Sequence, residues 1–548
     1  MTKSTLQVVR ASYRPKLPKV LRGSVKSVDG EATQSVADQA QIKKLFPNTY
    51  GMPIVKFETS TKKVSVEPFN VGVVLSGGQA PGGHNVISGL FDGMKRCNPK
   101  NRLFGFKMGL SGLVNHDYIE LTADVVDNYR NTGGFDITGS ARTKLESEEQ
   151  FEKIIEITRK LNIKAIVIIG GDDSNTNASV LAEYMAAKKT GIQIIGVPKT
   201  IDGDLRCDLV ETSFGFDTAT KLYSELIGNI ECDCKSARKY WHFIKLMGRA
   251  ASHIALECAL QTHPTYCLIS EEILAKEMTL DEIITKLATL VAKRSEKGED
   301  FGVVLVPEGL IEFIPAINGL IDELNDLLAA NADEFSKIQQ HELRNVVITR
   351  LSKANGDIYA SLPKTVASQL LLGRDPHGNI QVSGIETEKM LSEMVGCKLN
   401  EWKSAGKFNG KYAAQHHFMG YEGRCVFPSN FDANYCYALG VTACELIVSG
   451  KSGYMAYVSN LAKPVEEQNA GGVPLTMLMD MEHRNGMMKP VIRKILVDLN
   501  GAAFKEYEAK RDKWALTTDF VSPGPIQYFG PSEVCDQIPI SLRLEHQK

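Results

Sequence analysis

The sequence predicts an α/β fold with largely parallel, doubly wound sheets. Three observations carry that expectation. Short apolar runs at 71–75, 165–169, 193–197, 243–246 and 303–306 have the length of strands buried on both faces. Helical patterns, for example at 148–161 and 177–188, lie between several of them. The first four runs each end in glycine-rich or polar residues, and ligands of open α/β sheets bind at the carboxyl ends of strands.

Taken in order, residues 1–69 are mixed and proline-punctuated and read as an extended arm. Its first 28 residues are basic without an acid, as in organellar targeting segments, but Pro15 and Pro18 break a long amphipathic helix. An arm packed on the body is therefore expected. Residues 70–245 read as a first α/β lobe and 246–462 as a second. The second carries a charged helical insertion at about 308–375, where 311–328 has the apolar period of a surface helix. Residues 463–548 read as a helical segment packing back on the lobes.

Composition narrows the function classes. With 63 basic and 65 acidic residues the formal net charge is −2, which gives no electrostatic reason to expect nucleic acid or an anionic membrane as partner. No apolar run approaches the roughly 20 residues that span a bilayer. Among the eleven cysteines only Cys232 and Cys234 sit close, without a second pair at zinc-site spacing. Reduced thiols in a cytoplasmic chain are expected, and a structural metal is not.

Three strand-end loops carry phosphate chemistry. Gly77-Gly78-Gln79-Ala80-Pro81-Gly82-Gly83-His84-Asn85 precedes a helical pattern, so glycine backbone N–H groups and a helix start can face an anion. No Walker A loop and no dinucleotide fingerprint after the strand occur. His84 reads as a structural side chain. Gly170-Gly171-Asp172-Asp173 puts two acids after glycines. One can cap a helix, but two facing an anion-binding edge call for a cation such as Mg²⁺, which takes hard oxygen ligands. Pro198-Lys199-Thr200-Ile201-Asp202-Gly203-Asp204 supplies a lysine to neutralise a transferring phosphate and a carboxylate, Asp202, to accept a hydroxyl proton.

Together these loops resemble the phosphofructokinase family, with Met247-Gly248-Arg249 matching its M-G-R motif. Gly420-Tyr421-Glu422-Gly423-Arg424 resembles the sugar-phosphate segment of its pyrophosphate-using branch, and the helical insertion resembles the long form. The resemblance implies two phosphofructokinase-like lobes and phosphoryl transfer from pyrophosphate to the 1-hydroxyl of fructose 6-phosphate. It implies that Gly77 and Gly78 contact the donor phosphates and that Asp172 holds Mg²⁺. Asp202 would be the general base, supported by Asp204, with Thr200 bonding the transferring phosphate. Met247, Gly248, Arg249 and Glu271 would contact the sugar. Tyr421 and Arg424 would bind its 6-phosphate, and Arg142 would bridge donor and acceptor. Glu271 is preferred to Glu272 by alignment. A homodimer is implied for the long form.

Two positions bear on the donor. Family members that use ATP carry glycine where this chain has Asp173 and Lys199. Asp173 adds bulk and negative charge where a nucleotide's α-phosphate would lie, and Lys199 adds a cation for the leaving phosphate, so pyrophosphate is expected. The alternatives are an ATP-dependent enzyme, a non-catalytic regulatory subunit, and the same chemistry on another sugar phosphate such as sedoheptulose 7-phosphate.

Overall fold

The structure, a computed structural model, describes residues 3–62, 66–335, 338–371, 384–484 and 487–547. Its strands are, in chain order, β1 (Ser24–Ala32), β2 (Pro53–Ser60), β3 (Asn70–Leu75), β4 (Arg102–Phe106), β5 (Tyr118–Glu120), β6 (Ile163–Gly170), β7 (Gln193–Pro198) and β8 (Tyr240–Leu246). They continue with β9 (Tyr266–Cys267), β10 (Phe301–Pro307), β11 (Ala414–Met419), β12 (Tyr454–Ser459), β13 (Asn469–Pro474), β14 (Met479–Arg484) and β15 (Met487–Ile492).

The chain forms two compact units. The first comprises Met1–Leu222, Tyr421–Ile495 and Ile526–Lys548. It holds a nine-stranded sheet in the order β1-β2-β13-β12-β7-β6-β3-β4-β5. The central pairs β12–β7, β7–β6, β6–β3 and β3–β4 are parallel. Because β7, β6 and β3 are neighbours and parallel, the three phosphate-type loops leave the same edge of one sheet. Val74, Ile166, Ile168 and Ile194 are buried in the core beside these strands, which explains their apolar runs.

Helices Gly83–Cys97 and Asn430–Val448 approach each other at glycines. A Cβ on Gly440 would meet the Val86 carbonyl oxygen and lie 2.6 Å from the Leu90 nitrogen, both backbone atoms that cannot step aside. Gly440→Ala is expected to destabilise the protein by about 3 kcal/mol, the upper part of the range for overpacking, read as a lowered denaturant midpoint.

The second unit comprises Tyr223–Gly420 and Leu496–Pro525. Its sheet has the order β11-β8-β10-β9, parallel throughout. The fourth strand-end loop, Met247-Gly248-Arg249, therefore leaves this sheet and not the one carrying the other three. The expected helical insertion holds helices Pro315–Ala330, Gln340–Arg350, Lys353–Ser361 and Lys364–Gln369. Its last expected residues, 372–375, lie outside the described residues.

Two expectations are corrected. The arm is not merely extended: β1 and β2 pair antiparallel and join the first sheet through β13. Much of β1 is exposed, so it lacks a buried face that would show as apolar periodicity. Residues 463–548 hold β13 and the β14–β15 hairpin before helix Ala502–Leu516, so this segment is not simply helical. Among the described residues, no helix is long and apolar enough to cross a membrane.

Candidate active site

The site in the first unit is built from loops after β3, β6 and β7. Ser76 bridges Ala141, Gly77 N donates to the Ala141 carbonyl (3.2 Å), and Ser140 Oγ donates to the Gly77 carbonyl (2.9 Å). Arg142, exposed, is thereby tied to the first loop. Gly77 has φ +80°, a conformation glycine adopts without strain. A Cβ there would stand 3.5 Å from Lys199 Nζ and 3.6 Å from Ser174 Oγ. Gly78 lies against Arg424, whose Cζ would be 3.6 Å from a Cβ at that position. The Arg424 guanidinium also stacks over the Tyr421 ring at 4.8 Å.

The second loop opens helix Asp172–Ala187, with both acids in its first turn, where the helix dipole favours negative charge. Asp172 Oδ2 lies 3.4 Å from Lys494 Nζ, and Asp173 Oδ1 lies 2.6 Å from Arg484 Nη1. Ser174 Oγ donates to Ser76 Oγ (2.9 Å), joining the first two loops.

In the third loop Lys199 N donates to the Gly170 carbonyl (3.0 Å). The Lys199 side chain is buried. Burial pulls its ammonium down to about 8; Arg424 and Arg142 pull the same way, while Asp202 and Asp172 oppose them. Asp202 N donates to Thr200 Oγ1 (3.1 Å), which fixes the turn that presents the half-buried Asp202. Asp204 is buried; desolvation, then the charges of Asp202 and Asp172, push its carboxyl up to about 7, and Lys494 opposes the rise. These interactions gather Asp172, Lys199, Asp202, Asp204, Arg142 and Arg424 into one charge cluster. Among the described residues no group of three or more His, Cys, Asp or Glu side chains is placed to hold a metal ion. The donor set suits a hydrated divalent cation arriving with phosphate, not a caged ion.

In the second unit, Gly248 N donates to Glu308 Oε2 (3.0 Å), at the adjoining ends of β8 and β10. Buried Glu271 receives Ser252 N and Val497 N on Oε1, each at 3.0 Å. Glu272 is committed elsewhere: burial would raise its pKa, but Arg511 and Lys276 hold the carboxylate at about 2. His84 is buried, with Nδ1 2.8 Å from Thr132 Oγ1, and desolvation lowers its ring to about 4 despite nearby Asp136. Both facts fit the structural reading of that histidine.

A family model for phosphofructokinase matches residues 70–357. The chain belongs to the phosphofructokinase family. Within that family it is 59% identical, over all of its length and 99% of the relative's, to a pyrophosphate--fructose 6-phosphate 1-phosphotransferase of Porphyromonas gingivalis. It is 52% identical, over the full length of both chains, to the protein of that name from Entamoeba histolytica. In fold it is similar to the crystal structure of a pyrophosphate-dependent phosphofructokinase from Nitrosospira multiformis, with a TM-score of 0.54 at 17% identity over 87% of this chain and 97% of that one. The α/β architecture expected from the sequence is that of this phosphofructokinase fold.

Sequence reasoning missed Arg484, Lys494 and Glu308. The dipeptide Asn485-Gly486 between β14 and β15 is a strong hairpin signal and announces the segment that carries the first two. Glu308 directly follows an apolar strand, the same signal that found the other loops.

Proposed function

We propose that the chain transfers a phosphoryl group reversibly between pyrophosphate and the 1-hydroxyl of fructose 6-phosphate. What carries the reading is the meeting, at one edge of a parallel sheet, of a buried lysine, an anion-type glycine loop and the carboxylates Asp202 and Asp204. The names of the full-length relatives support the donor and the sugar.

Gly78 receives the donor phosphates through its backbone N–H, Gly77, whose own N–H is given to the Ala141 carbonyl, lines them by close backbone approach, and Lys199 sits against them to take up charge on the leaving phosphate. Thr200 bonds the transferring group. Asp202 accepts the proton of the attacking hydroxyl, while Asp204, poised near neutrality, supports it. Met247, Gly248, Arg249 and Glu271 contact the sugar, Tyr421 and Arg424 take its 6-phosphate, and Arg142 bridges donor and acceptor. Arginine suits these tasks because its fork bonds phosphate bidentately. Asp172 would hold Mg²⁺ directly or through water, and that ion, when bound, neutralises charge on the phosphate oxygens. The same reading makes the enzyme cytoplasmic and homodimeric.

Asp173 excludes nucleotides in this account. The test compares initial rates of fructose 1,6-bisphosphate formation with pyrophosphate and with ATP. Wild type is expected to use pyrophosphate alone. Asp173→Gly is expected to raise kcat/KM for ATP by at least about tenfold, a change of about 1.4 kcal/mol. Turnover with ATP alone in the wild type contradicts the donor assignment, and unchanged preference in Asp173→Gly contradicts the part given to Asp173.

A further inference from the structure

Asp173 poses a problem for the donor as well as for its competitor. A carboxylate beside a polyanion repels it, and partial burial strengthens that repulsion. The fold answers with a cation from a segment more than three hundred residues away in sequence. Arg484, the last residue of β14, places Nη1 2.6 Å from Asp173 Oδ1 and Nε 2.7 Å from Glu482 Oε2. The pair is shielded: the two side chains are 15% and 28% exposed. The hairpin that carries Arg484 is docked on the helix that carries Asp173. Ile492 N of β15 donates to Thr176 Oγ1 (3.0 Å), and Ser179 Oγ donates to Met479 Sδ of β14 (3.3 Å).

We infer that Arg484 is a positioning residue for donor recognition: shared between Asp173 and Glu482, it fixes the Asp173 carboxylate and offsets its charge, so Asp173 acts on the donor more by bulk than by charge. This rests on the reading of Asp173 given under Proposed function. Lys494, from the stretch just after β15, stands beside the neighbouring acid Asp172, so one segment serves both acids of the Gly-Gly-Asp-Asp loop.

The test is steady-state kinetics with pyrophosphate on Arg484→Gln, Arg484→Lys and the double variant Asp173→Asn/Arg484→Gln. Arg484→Gln is expected to raise KM for pyrophosphate by about tenfold with kcat within about threefold, because the carboxylate beside the donor loses its arginine cation. The double variant, which removes that carboxylate's charge at nearly constant size, is expected to recover most of the loss. Arg484→Lys, which keeps the cation, is expected to stay near wild type and shows that the hairpin tolerates substitution. An unchanged KM in Arg484→Gln overturns the inference. So does a double variant that recovers nothing, because Arg484 would then act on the donor itself. A wild type inactive with pyrophosphate would instead defeat the underlying reading, and the two failures are distinct.

Discussion

Replacing Asp202 by asparagine is expected to lower kcat by about two to four orders of magnitude, the usual size of a general-base effect, while KM for both substrates moves little. Asparagine keeps the size of the side chain, and its backbone N–H still donates to Thr200 Oγ1, so the turn survives. Only the group that takes the hydroxyl proton is lost. Asp204 does not substitute for it. That residue is 5% exposed, and its backbone carbonyl is tied to Ile495 N at 2.8 Å. The substitution also removes one of the charges that raise Asp204, so the Asp204 carboxyl falls back toward the ordinary range. Stopped assays of fructose 1,6-bisphosphate across pH measure both effects. Near-normal turnover in Asp202→Asn would refute the base assignment.

Lys199→Met is expected to cost about two to three orders of magnitude in kcat, comparable to loss of one preorganised donor aimed at developing charge. The lysine is largely shut off from solvent: the residue is 6% exposed and its ammonium faces Gly77 and Gly171. The same burial sets a pH dependence. Its pKa is lowered to about 8, so the cation is intact below that pH and is lost as pH rises through it. Because kcat/KM reports the free enzyme, kcat/KM for pyrophosphate is expected to fall above about pH 8. Lys199→Arg, charged at every accessible pH, is expected to lose that alkaline limb even if its planar fork fits the slot poorly. An alkaline limb that persists in Lys199→Arg belongs to another group.

How much of this could be read from sequence depended on local patterning. Strands β3, β6 and β7 were legible because burial on both faces leaves a short apolar run, and each ends where glycines and charges begin. The candidate residues of those loops were legible for the same reason. Sheet membership was not. The run at β8 resembles that at β7, yet it joins a different sheet, because a local pattern carries no record of which strands pair. β13 hides behind composition: Asn469-Ala470-Gly471-Gly472-Val473-Pro474 lies in the segment expected to be helical and has two glycines and a proline in place of a strand's apolar run. Yet a Cβ on Gly472 would lie 2.7 Å from Leu446 Cδ2, so close packing explains that glycine. The ion pairs Arg484–Asp173 and Lys494–Asp172 join residues too distant in sequence for any local period to connect. The choice of Glu271 over Glu272 rests on alignment. Both carboxylates are engaged in the structure, Glu272 by Arg511 and Lys276 and Glu271 by the backbone N–H groups of Ser252 and Val497.

The most direct measurement is phosphorus NMR of the purified protein with Mg²⁺, pyrophosphate and fructose 6-phosphate, followed by the reverse mixture of fructose 1,6-bisphosphate and phosphate. Pyrophosphate is expected to decay as phosphate and the sugar 1-phosphate grow in equal amounts, and to reappear in the reverse mixture. A pyrophosphate resonance that stays unchanged in the forward mixture, while added ATP is consumed in its place, would contradict that expectation.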